Sequence, residues 1–351
     1  MTAAGGVHEA CFGVPDLDAA AEYWAAYGYR AGTHGSLDED AAHALYGVRS
    51  ALRSLRLAHL DADHGLVRLM QWERPLGPGI GPTGLRAHGS RWVMQFVRSA
   101  LDVANHGALA RRQGAPVADL PPSFIDLSSY NPQLFGSRAA RPFRDTLVAA
   151  REYTLLQPLW RQALLERFHY DSPFLGRIDD GALLRASQIV NASFMVESDD
   201  EDVFSFYADV LGLKQQSVQE VSWEKSMASR TVFDLREGET HWCHTLEEPR
   251  SGEGSGERRS GRLYLFRFPS SSRLEDRLAV SQPGHLGCTL FTWRAHDLEA
   301  LRARCLAAGC RAVTDPRADE FGVRAFSCVT PDGMTWTFQQ ASGAERAGLA
   351  A

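Results

Sequence analysis

The stretch GSRWVMQFVRSALDVANHGALARRQG, residues 89–114, lies without a gap over GHLGCTLFTWRAHDLEALRARCLAAG, residues 284–309. Each reads as a β-rich apolar run followed by a helix. Asp102 and Asp297 suit the helix start, and Gly114 and Gly309 suit the position just past its end. Upstream lies a second pair: ACFGVPDLDAAAEYWAAYGYRAG from Ala10 resembles ASFMVESDDEDVFSFYADVLGLK from Ala192, again strand then helix. LVRLMQWERP from Leu66 superposes on THWCHTLEEP from Thr240, each ending in a proline that stops a strand. The same landmarks recur in the same order, and a repeat at this scale decides the architecture. It predicts an α+β chain of two tandem modules, residues 1–155 and 186–340, each made of two strand–helix–strands units.

Between the modules, residues 156–185 form a connection. LWRQALLERF within it has helical spacing, so the connection is expected to be partly helical. The Gly- and Ser-rich EPRSGEGSGERRSG, residues 248–261, is expected to be a mobile loop, and the tail 341–351 to fray or form a short helix.

Composition narrows the function classes. With 351 residues, 44% hydrophobic and 23% charged, the chain matches an ordinary globular protein. Lys and Arg number 37 against 43 Asp and Glu, and the signs are mixed along the chain. The net charge of −6 gives no electrostatic footprint for nucleic acid. No apolar run approaches the ~20 residues of a spanning helix. MTAAGGVHEA lacks the basic and apolar regions of a secretory signal, which predicts a cytoplasmic protein. Six cysteines (Cys11, Cys243, Cys288, Cys305, Cys310, Cys328) form no CxxC pair and read as free thiols, mostly filling the core. The expected partner is a small-molecule substrate, with neither nucleic acid nor membrane, and a homodimer is compatible with the chain.

VPDLDAAAEYW (residues 14–24), FYADVLGLK (206–214), HDLEALRARCLAAGC (296–310) and the closing TPDGMTWTFQQ (330–340) resemble the vicinal oxygen chelate superfamily. That family includes glyoxalase, the bleomycin-resistance proteins, extradiol dioxygenases and 4-hydroxyphenylpyruvate dioxygenase. The resemblance covers most of the chain, though residues 116–158 depart from the pattern and carry an insertion. It implies paired βαβββ units curled into open barrels whose concave face binds a ligand.

The resemblance also implies metal ligands at four places: the first strand, the strand before the mid-module loop, the first strand of the second unit, and the final strand. In this chain the first strands carry Glu9 and Asn191, and the pre-loop strands Met70 and His244. The second-unit strands carry Gln95 and Leu290, and the final strands Thr154 and Thr337. A divalent ion needs three or four converging N or O donors, and no intact set stands here. Glu152 shares a strand face with Thr154, and His8 adjoins Glu9. No cofactor is therefore assigned. A divalent metal, if bound, would draw on His244, Glu9 and Glu152. Were the barrels built from units of different modules, Asn191, His244, Gln95 and Glu152 would be the converging group. The literal GxGxxG in GPGIGPTG is discarded because prolines surround it and no helix follows. In HWCH, His241 and His244 fall on opposite strand faces.

Two functions from different classes follow. The first is an acid–base enzyme, a lyase, isomerase or cyclase acting on an oxygenated, natural-product-like molecule. Its catalytic candidates are Glu9, His244 and Glu152, with Gln95, Asn191, Trp242, Trp336 and Thr337 in substrate binding. Glu9 is expected to project beside Gln95 and Glu152, where two carboxylates sharing a partly dry site would raise one pKa. The second is a drug- or metabolite-binding protein of the bleomycin-resistance type. A metal-dependent dioxygenase ranks third, because the donors are missing.

Overall fold

The computed structural model describes residues 4–130, 132, 136, 140–170, 175–248 and 261–341. Most of the Gly- and Ser-rich segment and nearly all of the tail lie outside the described residues. The strands and helices fall into four units. Unit one holds β1 (Ala4–Gly13), α1 (Leu17–Ala25), β2 (Tyr29–Leu37), α2 (Glu39–Tyr46), β3 (Leu52–His59) and β4 (Leu66–Trp72). Unit two holds β5 (Arg91–Val97), α3 (Ala100–Arg112), β6 (Ala118–Asp126), β7 (Ala149–Leu156) and β8 (Arg161–Phe168). Unit three holds β9 (Ala186–Glu197), α4 (Ser205–Asp209), β10 (Lys214–Ser222), α5 (Met227–Val232), β11 (Thr240–Glu247) and β12 (Arg262–Phe268). Unit four holds β13 (Gly287–Ala295), α6 (Leu298–Ala307), β14 (Arg317–Ala318), β15 (Arg324–Val329) and β16 (Thr335–Gln340).

The repeat that opened the sequence reading is present as strand then helix in both copies, β5–α3 and β13–α6. Asp297 caps α6 by accepting from the Ala300 amide at 2.9 Å. In the other copy the cap is Ser99, accepting from Asp102 at 3.1 Å, so that Asp102 stands in the first turn instead.

Two eight-stranded sheets result, in the orders β14-β15-β16-β13-β1-β4-β3-β2 and β10-β11-β12-β9-β5-β8-β7-β6. In each unit the last strand lies parallel beside the first, as Glu9 beside Leu66 and Asn191 beside Arg262. That leaves one edge of every first strand free, and the free edges pair antiparallel. β1 takes β13, with Glu9 opposite Thr292, and β9 takes β5, with Asn191 opposite Met94. Unit one thus joins unit four and unit two joins unit three, so each sheet draws one unit from each half of the sequence.

LWRQALLERF, expected to be helical, supplies the strand β8. Arg161 through Leu165 are all buried, so the run lacks the polar alternation that marks a strand with one wet face.

The convex faces share one core. Trp24 of α1 packs edge-on to Trp160 at 5.6 Å, and Tyr23 donates to Gln162 of β8. On the other side Tyr207 of α4 accepts from the Trp336 indole at 3.0 Å and donates to Asp332 at 2.7 Å. The concave faces differ. Sheet one's is filled, with Ala42, Leu45 and Tyr46 of α2 packed against Cys11, Met70, Trp72 and Leu290.

Gly65 is a joint between the sheets. Its carbonyl accepts from the Tyr29 hydroxyl at 2.7 Å, and the Ile189 amide donates to that same hydroxyl at 2.7 Å. It has φ of +64°, and an added Cβ would lie 1.9 Å from the Ile189 carbonyl oxygen. Gly65→Ala is expected to lower stability by about 2 kcal/mol or more, read by urea denaturation. Unaltered stability would mean that the sheets do not meet here.

Candidate functional site

In the first concavity, Glu9 is fully buried and carries two guanidiniums, accepting from Arg56 and from Arg68. The Thr292 hydroxyl donates to it at 2.9 Å. Arg68, also fully buried, donates to the Tyr46 hydroxyl at 2.9 Å and to Glu320 at 3.1 Å. Tyr46 and Ser54 donate to Glu320 at 2.7 and 2.9 Å. Burial alone would raise the Glu9 pKa, but Arg68 and Arg56 hold its carboxyl well below the usual carboxylate range. A group so placed stays ionised at neutral pH and moves no proton.

The four central strands of this sheet bring Glu9, Arg68, Thr292 and Thr337 to one neighbourhood, with Thr292 opposite Thr337. Thr337 shares a 2.7 Å hydrogen bond with Ser327. A divalent ion at the superfamily position would meet the Arg68 cation and a carboxylate already neutralised twice. The residues do not fit a metal.

The second concavity is open. It is walled by side chains such as Trp92, Met94, Phe96, Leu165, Phe233 and Phe266. Polar groups are few in this wall: Glu152, Asn191, Gln219, Ser229, Thr245, Arg262 and Tyr264. An apolar cavity with a small number of placed polar groups is the usual form of a small-molecule site. Glu152 stands on β7 opposite Leu165 of β8, and the Thr154 hydroxyl donates to it at 3.1 Å. Burial pushes its pKa up to about 7, while the Thr154 bond pulls the other way. The Asn191 carbonyl oxygen is buried without a hydrogen-bond partner, its amide nitrogen lying 2.9 Å from the Met94 sulfur. Arg262 stands opposite Asn191 on β12 and is ion-paired with Glu247. The central strands here offer an amide and a thioether where a divalent ion needs three or four N or O donors, so a metal does not fit this position either.

Of the residues singled out in the sequence, the structure brings Glu152 and Asn191 to one cavity. Glu9 lies in the other sheet. Gln95 points to the opposite face of β5, donating to the Ser187 carbonyl at 2.8 Å and accepting from Gln162 at 3.0 Å. Glu9, Gln95 and Glu152 therefore share no site. His244 turns away from the cavity against the Phe204 ring, 5.0 Å between centroids, and neither ring nitrogen has a partner. Burial first and Arg267 second lower its pKa to about 4, so it is neutral. His244, Glu9 and Glu152 do not converge as a metal set. Trp242 lies under the Arg267 guanidinium at 4.0 Å, and Trp336 belongs to the core between the sheets. His8 turns to the Asp63 carbonyl at 3.1 Å.

One slip explains several of these placements. THWCHTLEEP was matched to β4, the fourth strand of its unit, yet it is β11, a third strand, and the fourth is β12 beyond the loop. Thr154 likewise stands on β7, a third strand, because β8 was read as a helix. Arg262 and Tyr264 were missed for that reason, although the alternation in RLYLFRF, residues 262–268, marks a strand.

Two predictions follow from these charges. Glu9→Gln takes one carboxylate from the buried Arg68, which keeps Glu320, and removes the carboxylate paired with Arg56. It is expected to cost about 3 kcal/mol, measured by denaturant unfolding at neutral pH. A cost below about 1 kcal/mol would show the pair to be solvated. For Glu152, the folded pKa of about 7 exceeds the ordinary 4.5, so the folded state binds more protons and stability falls as pH rises between those values. Glu152→Gln removes that loss. It should be more stable than the parent at pH 8 and no more stable at pH 4, by urea unfolding at both.

Residues 189–338 match the family model of the Glyoxalase/Bleomycin resistance protein/Dioxygenase superfamily. No curated protein sequence matches the chain. Among solved structures, a glyoxalase I variant from Zea mays aligns over 95% of this chain and 92% of its own, at 13% identity and a TM-score of 0.53. A second Zea mays glyoxalase I variant covers 95% and 93%, at 13% identity and a TM-score of 0.50. A candidate dioxygenase from Bacillus subtilis covers 97% and 86%, at 13% identity and a TM-score of 0.51. At such identities the likeness is one of fold.

Proposed function

We infer the function from the premise that the chain is a member of the vicinal oxygen chelate superfamily, to which glyoxalases, bleomycin-resistance proteins and dioxygenases belong. We propose an enzyme that moves a proton on an oxygenated, largely apolar, ring-containing small molecule held in the second concavity. The class is lyase, isomerase or cyclase. What carries the reading is Glu152, a carboxyl with a pKa of about 7 in the wall of an apolar cavity. A general base or acid works best when its pKa lies near the working pH.

In this reading the ring system lies among Trp92, Phe233 and Phe266. The unpartnered Asn191 oxygen accepts a hydrogen bond from a substrate hydroxyl, supplying the partner it lacks. Arg262 and Tyr264 beside it offer donors to a substrate oxygen. Glu152 as carboxylate takes a proton from a C–H next to a carbonyl or from a hydroxyl. It then returns that proton elsewhere on the molecule or to a departing group, with no change of oxidation state. The Thr154 hydroxyl holds the carboxylate's orientation.

The aromatic wall supports a second reading, a binding protein that sequesters a planar drug-like molecule. The two separate on product formation. Oxygenated polycyclic aromatics that raise the melting temperature would be incubated with the protein and followed by mass spectrometry. The enzyme reading expects an isomeric, eliminated or cyclised product, and a kcat that rises with a midpoint near pH 7. Glu152→Gln is expected to lower kcat by roughly 10²–10⁴-fold while ligand affinity stays within a few-fold. Tight binding with no product would establish the binding protein instead, and parental turnover in Glu152→Gln would overturn the assignment of the proton to this residue.

A further inference from the structure

Three of the six cysteines meet in unit four. Cys305 closes the last turn of α6, Cys310 follows that helix, and Cys328 lies on β15. Their sulfurs all fall within 4.8 Å of one another, and among the described residues this is the one group of His, Cys, Asp or Glu so spaced. None is in a disulfide.

Two separate backbone devices build the cluster. Gly309 leaves the helix with φ of +78°, and the Cys310 amide returns to the Cys305 carbonyl at 3.0 Å, folding the chain back so that two thiols five residues apart face each other. Arg311 and Val329 then exchange both backbone hydrogen bonds at 2.8 Å, holding Cys310 beside the strand that carries Cys328. Cys305 and Cys328 are buried, and Cys310, 8% exposed, is the member nearest solvent.

We propose that Cys305, Cys310 and Cys328 form a three-thiolate site for one thiophilic d¹⁰ cation, Zn²⁺, which pins α6 to β15. Zinc–thiolate bonds of about 2.3 Å set the sulfurs about 3.8–4.0 Å apart, so closure needs each edge to contract by less than about 1 Å. Two sulfurs from a helix end and one from the facing strand give a three-sided cup. The fourth position of a tetrahedral ion opens at Cys310, where a water can enter. Three thiolates and Zn²⁺ leave one negative charge, and the Arg304 guanidinium acts on Cys305 with the opposite sign. Binding displaces the thiol protons, so affinity rises with pH.

The test uses the full chain, freshly reduced and stripped of metal. Titration with Co²⁺ is expected to give a thiolate-to-cobalt charge-transfer band that saturates at one ion per chain and is displaced by Zn²⁺. Zn²⁺ should also raise the melting temperature and shield these three thiols from alkylation. Cys305→Ser, Cys310→Ser and Cys328→Ser should each weaken binding at least about 100-fold, the upper end of what losing even an outer-shell partner costs. Cys11→Ala, elsewhere in the fold, should leave the titration unchanged. Should a serine variant fail to fold, the alkylation pattern of the parent with and without Zn²⁺ decides. No charge-transfer band, a band that survives the serine substitutions, or thiols equally reactive with and without Zn²⁺ would overturn the proposal.

Discussion

A strand with an unpaired edge inside a fold must find a partner, because its exposed amides and carbonyls otherwise go without hydrogen bonds or recruit another chain. Each of the four units here is made so that its first strand has one such edge. The antiparallel joints β1 with β13 and β9 with β5 satisfy all four at once and place those strands at the centre of each sheet. Everything else follows from the joints. They bring Glu9 beside Thr292 and Asn191 beside Met94, they set which helices lie between the sheets, and they leave two concave faces to be filled or left open.

The two faces have gone different ways. In the first, α2 and an ion cluster occupy the space, with the Arg68 guanidinium among Glu9, Glu320 and the Tyr46 hydroxyl. Arg68 supplies positive charge from within the chain, so the carboxylates are balanced by a covalently attached group. In the second, aromatic and aliphatic side chains line an open cavity and the polar groups are sparse. Glu152 there meets little water, and burial raises its proton affinity. The same residue type, Glu, is thus a fixed charge in one sheet and a titrating group in the other. Environment alone makes the difference.

The repeat was legible because strand, capped helix and following glycine recur at equal spacing, as in residues 89–114 and 284–309. Which unit pairs with which was not, since every first strand offers a similar edge and nothing local distinguishes partners. β8 was hidden by burial of both its faces, and with it went the registration of the fourth strands. That displaced His244 and Thr154 to positions that are not the central ones. Glu152, placed by its face within its strand, and Asn191, placed by the resemblance's first-strand position, both stand in the wall of the second cavity, because neither placement depends on how the units pair. Glu9, expected beside Gln95 and Glu152 in a shared concavity, is instead neutralised by partners 47, 59 and 283 residues away, beyond the reach of any window.

The crosswise joints also order the birth of the molecule. Synthesis delivers unit one first, yet the strand that covers its free edge belongs to unit four, and the Glu9 and Thr292 side chains that meet there are 283 residues apart. Units two and three are neighbours in the chain, with Asn191 and Met94 only 97 apart, and can close while unit four is still unmade. The inner sheet is therefore free to assemble as a nested hairpin of domains, and the outer one closes around it last. Loop closure over so long a span is slow, and until it happens β1 presents an apolar, hydrogen-bonding edge to the surroundings. A chain cut short before residue 287 would keep that edge for good, making the C-terminal unit the lock of the whole assembly.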